Sequence, residues 1–191
     1  MHRTGHIGAA LLLYAPVASA LLSADRFVLA LIGELCVLAL ASLPDTDLRV
    51  SWIGHRGPTH TIAFAIAVGL TLGAGGWAIG EQMSTLAARF VALSAETSST
   101  EASVLGYITA QLQALDGREL AVFGVVIGTL SISSHLIADA ITPRGIKPFW
   151  PISSRRYSFN LVKAANRRAN QLLLVLGAFA ITGAVLFASL G

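Results

Sequence analysis

Five stretches of mostly apolar residues dominate this sequence, and they limit what the chain can fold into. A helix needs about 20 such residues to cross the hydrocarbon core of a bilayer. Charged residues make up only 12% of the chain, whereas soluble domains carry about 25%. We therefore predict an all-α fold, a multi-pass transmembrane helical bundle with about five spans, in a single domain over 1–191. The long connection 81–119 is predicted to hold a short amphipathic helix at 105–115. The predicted spans are 7–22, 27–43, 61–80, 120–141 and 172–190.

The first of these stretches has a second interpretation. A basic start, an apolar run and small residues at 17–20 are also typical of a secretory signal that is cleaved off. Cleavage would remove His2 and His6. We expect the stretch to remain as a span, because His6 then joins the polar groups described below.

Basic residues are distributed unevenly between the two sides that five crossings would create. One side would hold the N-terminus, 44–60 and 142–171, and with them ten of the 13 Lys and Arg residues. Because cytoplasmic loops carry an excess of Lys and Arg, we predict a cell-membrane protein with its N-terminus on the cytoplasmic side. Topology accounts for the net charge of +3, so we expect the lipid bilayer as partner and no nucleic acid. The ten residues are Arg3, Arg49, Arg56, Arg144, Lys147, Arg155, Arg156, Lys163, Arg167 and Arg168.

Histidine and aspartate residues gather on this same side. All five histidines and three aspartates fall at or near it, whereas most other acidic residues fall on the opposite side. Random placement would not send every histidine to one face of the membrane, so the sorting indicates a shared site. The residues concerned are His6, His55, His60, His135, Asp45, Asp47 and Asp139, whereas His2, at the start of the chain, is interpreted as incidental.

The fourth predicted span carries a His–Asp pair in the segment SHLIADAITPRG. His135 and Asp139 are four residues apart and therefore share one face of a helix. They can hold one metal ion together, or the aspartate can orient the histidine. The alternative is a polar pair that joins two helices by a hydrogen bond. The pair alone does not decide between these roles.

Two shorter motifs, LPDTD and HRGPTH, lie between the second and third spans. Asp45 and Asp47 offer carboxylate oxygens that divalent metals accept, although a turn that ends a helix uses the same residues. His55 and His60 are close enough to form a metal pair, and Arg56 suits a phosphate or carboxylate. The alternative is an interfacial loop whose arginine reaches lipid phosphates.

The four segments together offer more ligands than one zinc ion needs. Four histidines and three aspartates would suit two divalent ions a few ångströms apart, and such a pair activates water for hydrolysis. We therefore predict a divalent metal cofactor, zinc first, as one or two ions. The single cysteine, Cys36, lies in an apolar run, so we expect neither a disulfide nor a cysteine ligand.

These motifs, in this order, resemble the YdjM-like family of membrane-bound, metal-dependent hydrolases. The matching segments are TGH at 4–6, LPDTD at 43–47, HRGPTH at 55–60, SHLIADAITPRG at 134–145 and FWP at 149–151. The resemblance implies a hydrolase in the membrane, and a more distant similarity to zinc-dependent phospholipase C and P1-type nucleases. It also implies the metal ligands, with Arg56 as anion binder and Asp47 as a further catalytic residue. The implied ligands are His6, Asp45, Asp47, His55, His60, His135 and Asp139.

Three classes of function are compatible with these residues. The first is hydrolysis of a phosphoester in a lipid or lipid-linked substrate, with Arg56 stabilising phosphoryl charge and Asp45 or Asp47 as general base. The second is transport of a metal ion or proton along Glu34, His135 and Asp139. The third is a non-catalytic membrane protein with a structural metal.

The basic segment after the fourth span has two interpretations as well. Its cations can contact the headgroups of a phospholipid substrate, or they can simply fix the topology. The cations are Arg144, Lys147, Arg155 and Arg156.

Overall fold

Five long apolar helices form the framework, in agreement with the predicted all-α membrane bundle. The computed structural model of the chain describes residues 1–49, 56–94 and 99–190. Within these ranges, five segments are long and apolar enough to cross a membrane. Four are single α-helices, and the second, Phe27–Asp47, is an α-helix extended by the residues that follow it. They correspond to the five predicted spans and differ by a few residues at the ends. Two shorter helices bring the number of α-helices in these ranges to seven. They are α1 (Arg3–Ser23), α2 (Phe27–Leu40), α3 (Ile62–Gly80), α4 (Met83–Ser94), α5 (Ser99–Gln113), α6 (Gly117–Ala140) and α7 (Arg167–Leu190), of which α4 and α5 are not spans.

The connection between α3 and α6 holds two helices rather than the single predicted one. α5 covers most of the expected segment and begins six residues earlier, and α4 was not predicted. Both are too short to span. α5 is attached to the turn between α1 and α2, where the Tyr107 hydroxyl donates to Asp25 Oδ1 at 3.0 Å. This hydrogen bond attaches α5 to the end of the bundle at which α1 ends and α2 begins.

Two helix pairs make the closest contacts in the bundle, α1 with α7 and α3 with α6. At the first contact, a Cβ on Gly8 would collide with the backbone of Leu173. At the second, a Cβ on Gly128 would collide with the backbone of Gly69. Helices in lipid associate through close van der Waals packing at such small residues, so these glycines set the helix spacing.

The core of the bundle lies where α6 meets α1 and α2. Tyr14, Val37 and Ile127 are fully buried there, and the Tyr14 hydroxyl donates to Ala30 O at 2.6 Å. Large apolar side chains on the outer faces remain exposed, Phe179 at 71% for example. Exposed apolar surface of this extent is expected when lipid is the solvent.

One end of the bundle collects the chain segments that carry the motifs. α1 and α3 begin there, and α2 and α6 end there. After α2 the chain continues as a 3-10 helix, Pro44–Arg49, and a second one, Pro58–His60, precedes α3. Thr61 caps α3 by accepting from the backbone N–H of Phe64 at 3.1 Å. Four remote segments therefore meet at one end of the bundle.

Candidate metal centre

Three imidazoles and two carboxylates converge in a buried cluster at this end of the bundle. Four of the five side chains are at most 1% exposed, whereas Asp45 is 27% exposed. Asp45 also lines an open cleft together with Arg3 and Thr46. This cleft is an opening of the cluster to the outside of the bundle. The cluster consists of His6, Asp45, His60, His135 and Asp139, and contains two overlapping groups of three that could hold a metal ion.

His60 and His135 direct their Nε2 atoms at each other, 3.2 Å apart. His135 is oriented from behind, because its Nδ1 lies 2.8 Å from the carbonyl oxygen of Ala41. A carbonyl can only accept a hydrogen bond, so Nδ1 carries the proton and the Nε2 lone pair faces the cluster. A metal-binding imidazole is commonly oriented in this way.

His60 is oriented from behind by a side chain that the sequence did not single out. Thr59 Oγ1 donates to Asp47 Oδ2 at 3.0 Å and lies 3.0 Å from His60 Nδ1. Since the hydroxyl has one proton, it accepts from Nδ1–H, which leaves His60 Nε2 as a lone-pair donor. Asp47 Oδ2 is itself 3.4 Å from His60 Nδ1. The predicted ligand Asp47 thus lies behind His60, away from the Nε2 atom that faces the cluster.

The two carboxylates of the cluster each face histidines in two directions. Asp45 Oδ1 lies 3.6 Å from the Nε2 atoms of both His60 and His135, and its Oδ2 lies 3.8 Å from His6 Nε2. Asp139 Oδ2 lies 3.6 Å from His60 Nε2 and 4.0 Å from His135 Nε2, and its Oδ1 lies 3.7 Å from His6 Nε2. Both carboxylates therefore present one oxygen to the His60–His135 pair and the other to His6.

His6 is fully buried, and neither of its ring nitrogens has a hydrogen-bond partner among the described residues. Its ring stacks on that of His135, with centroids 3.7 Å apart. A buried polar atom without a partner costs about 1–3 kcal/mol. Asp139 Oδ2 likewise has no hydrogen-bond partner among the described residues, so the cluster offers polar atoms on two sides to which an ion could bind.

Arg56 connects the cluster to the loop after α6. Its Nη2 lies 2.8 Å from Asp139 Oδ1, and its Nη1 donates to the carbonyl oxygen of Gly145 at 2.7 Å. Its backbone is left-handed, with φ of +61°, and the backbone N–H donates to Asp47 Oδ2 at 3.0 Å. Burial lowers the pKa of the guanidinium, with Arg144 and Arg156 adding to the effect and Asp139 opposing it. A guanidinium remains charged in proteins.

Two histidines of the sequence remain. His55 lies outside the described residues. His2 is at the start of α1 with its side chain exposed, apart from the cluster. Sequence reasoning also missed the N-terminal ammonium group of Met1, 2.7 Å from Asp139 Oδ1, and the buried Asn170, which accepts from His2 N at 3.0 Å. No motif marked either residue.

Fold and cluster together define a class, an integral membrane helical bundle with buried His and Asp groups that could hold a metal ion. The chain belongs to the YdjM inner membrane protein family, whose sequence model matches residues 1–190. This match confirms the predicted family and the membrane location. No curated protein and no solved structure matches the chain, and the similarity to phospholipase C and P1-type nucleases stays a prediction.

Proposed function

We propose that this protein is a metal-dependent hydrolase of the membrane that cleaves a phosphoester in a lipid or lipid-linked substrate at the cytoplasmic face. One observation carries the proposal. The Nε2 lone pairs of His60 and His135 face each other at 3.2 Å, and both rings are oriented from behind. A shared proton or a metal ion relieves the repulsion between two such lone pairs. The carboxylates beside them favour the metal, because divalent metals accept mixed imidazole and carboxylate ligands.

The spacing of the donor atoms agrees with a metal ion. Tetrahedral zinc with bonds of about 2.0–2.1 Å separates its ligand atoms by roughly 3.4 Å. His60 Nε2, His135 Nε2 and Asp45 Oδ1 are separated by 3.2, 3.6 and 3.6 Å. Asp139 Oδ2 lies 3.6 Å from His60 Nε2 and is the other oxygen donor within reach. A site that uses three of these four nitrogen and oxygen atoms keeps the open position that catalytic zinc needs for water.

A second ion would be held by His6 and by the other oxygens of the same two carboxylates. Asp45 Oδ2 and Asp139 Oδ1 lie 3.8 and 3.7 Å from His6 Nε2, so these three residues would hold it. His135 cannot serve both with one Nε2, which assigns His6 to the second ion. This arrangement gives a use to the unpartnered nitrogen atoms of His6.

The protein's own residues would bind and orient the substrate around this centre. Metal ions there would act as Lewis acids and activate water. Arg56, fixed by Asp139 and Gly145, would place its charge next to the phosphoryl group, where negative charge develops. Asp47 is a positioning residue for His60 rather than the general base, because it already accepts from Arg56 N–H and from Thr59.

The proposal is tested on detergent-purified protein by metal content and by turnover of phospholipid, with and without chelator. We expect bound metal, chelator-sensitive hydrolysis, and loss of both in His60→Ala and His135→Ala. His2→Ala is the matched control, because His2 lies outside the cluster and should keep full activity. Metal-free wild-type protein, or hydrolysis that survives His60→Ala, would refute the proposal.

A purely structural metal site is separated from catalysis by thermal unfolding. If metal only stabilises the fold, chelation lowers the melting temperature and no hydrolysis is found for any lipid class. If metal is catalytic, chelation abolishes turnover under conditions where the protein remains folded. The two measurements on the same sample therefore decide between these roles.

A further inference from the structure

A second cavity, of about 270 Å³, lies beside the metal-ligand cluster and carries a concentrated positive charge. Four of its six lining residues are basic, and none of the six is acidic. Cavities that bind small molecules measure about 300–1,000 Å³, so this one suits a single headgroup-sized ligand. The lining residues are Arg56, Arg144, Gly145, Ile146, Lys147 and Arg156.

The loop after α6 folds in a way that forces these cations together. Ile146 and Tyr157 exchange two backbone hydrogen bonds, of 3.0 and 2.9 Å, as an isolated antiparallel bridge. This pairing sets Lys147 opposite Arg156. Like charges placed directly opposite each other destabilise such a pairing. Within the described part of the chain, none of Arg144, Lys147 and Arg156 forms an ion pair that would offset this repulsion.

Gly145 makes the narrow turn on which the cavity depends. Its φ is +58°, and a Cβ there would meet the side chain of Ser158 at 2.8 Å. Its carbonyl oxygen accepts from Arg56 Nη1 at 2.7 Å. The turn therefore holds the loop against Arg56 and places the cavity one side chain away from Asp139.

Arg56 belongs both to the metal-ligand cluster and to the wall of the cavity. The side chain is 10% exposed, and its Nη1 and Nη2 are engaged by Gly145 and Asp139. Its Nε is buried and has no hydrogen-bond partner among the described residues. The Arg56 guanidinium lines the cavity and adds its positive charge to those of the other basic residues there.

We infer that this cavity binds a phosphate group of the substrate, by charge-assisted hydrogen bonds from Arg144, Lys147 and Arg156 together with Arg56. The inference rests on the proposed function, whose substrate class it narrows to compounds that present a phosphate beside the metal centre. Arginine and lysine bind phosphate oxygens through just such bonds. The phosphate can belong to a lipid headgroup or to a soluble ester, and the chemistry of the cavity is the same for both.

The experiment measures binding to the full chain after the metal has been removed with EDTA, so that the cavity acts alone. Inorganic phosphate is titrated in one arm. In two further arms, mixed micelles carry either phosphatidic acid or phosphatidylcholine. We expect saturable phosphate binding that Arg156→Gln and Lys147→Gln each weaken about tenfold, as the loss of about 1.4 kcal/mol would do. Tighter binding of phosphatidic acid than of phosphate identifies a lipid-borne group, and equal binding identifies a soluble ester.

Arg155→Gln is the matched control. It removes one positive charge from the adjacent residue, but Arg155 lies over the ring of Tyr157 and does not line the cavity. Equal weakening by Arg155→Gln and Arg156→Gln, or phosphate binding that neither cavity variant changes, overturns the inference. If the protein with its metal hydrolyses lipid but the cavity variants bind phosphate as wild type does, the hydrolase proposal holds and the phosphate subsite is refuted. If phosphate binding depends on the cavity residues but the protein with its metal hydrolyses nothing, the hydrolase proposal is refuted and the subsite holds.

Discussion

The imidazole of His6 stacks on that of His135, with ring centroids 3.7 Å apart and ring planes 5° apart. The two residues lie on different spans, 129 positions apart in sequence. His135 directs Nε2 at His60, while His6 Nε2 faces the second oxygens of Asp45 and Asp139. The stack therefore places two imidazoles side by side, each serving a different part of the cluster.

This stack predicts the number of metal ions. Wild-type protein should bind two ions per chain and His6→Ala one, because only the second set of ligands loses its nitrogen donor. Elemental analysis of purified protein measures the ratio, with His2→Ala as the control expected to keep two. The same metal content in His6→Ala and wild type would rule out His6 as a ligand.

Asp47→Asn tests the positioning of His60. We expect metal affinity to fall about 10–100-fold, the usual loss when the partner behind a ligating histidine is changed, with the fold retained. Competition with a chromogenic chelator measures the affinity. Thr59→Val should have a similar effect, because it removes the hydroxyl that joins Asp47 to His60 Nδ1. If Asp47 is instead a direct ligand, Asp47→Asn will lose far more affinity than Thr59→Val.

Arg56→Lys tests whether the guanidinium contributes more than charge. An ammonium group cannot contact Asp139 and Gly145 at the same time, so we expect kcat to fall about 100-fold, as when a transition-state donor is lost. Metal content should stay at the wild-type value. Kinetics on the metal-loaded protein provide the measurement, and an unchanged kcat would remove Arg56 from the catalytic machinery.

Gly8→Ala tests the contact between α1 and α7. A Cβ at this position collides with the Leu173 backbone, and overpacking of this kind costs about 1–3 kcal/mol. Gly183→Ala is the control, since its Cβ meets nothing within 4 Å, and better helix propensity should make it neutral or stabilising by up to about 1 kcal/mol. Thermal unfolding in detergent compares the two. Equal stability would mean that the helices do not approach this closely.

Cysteine labelling tests the predicted sidedness. In a Cys36→Ala background, Ser154→Cys should react with an impermeant maleimide only after cell lysis, because the basic end of the bundle is predicted to face the cytoplasm. Gln82→Cys, at the opposite end, should react in intact cells. Both positions are exposed. The reverse pattern would place the cluster outside the cytoplasm.

The helices and the gathering of histidines could be read from the sequence because both follow from local patterns. Apolar runs of span length have few alternatives to a membrane helix, and α2, α3 and α6 appear where they were predicted. α4 was not predicted although its sequence is amphipathic, because the polar patch that follows it is typical of a loop. Thr59 was missed because a hydroxyl has no ligand signature of its own.

Membrane insertion, the gathering of His6, His60 and His135 at one end of the bundle, and the motifs of the YdjM family could all be predicted from the amino-acid sequence. These are consequences of hydrophobicity and of position along each span. The contacts between individual imidazole nitrogen atoms and carboxylate oxygen atoms, in contrast, depend on the tertiary structure. In the folded chain Asp47 lies behind His60, and Asp45 and Asp139 each contact histidines through both carboxylate oxygens. Arg155 lies outside the cavity that Arg156 lines. Such relationships depend on helix rotation and on close packing at glycine, which bring together residues that no sequence spacing connects.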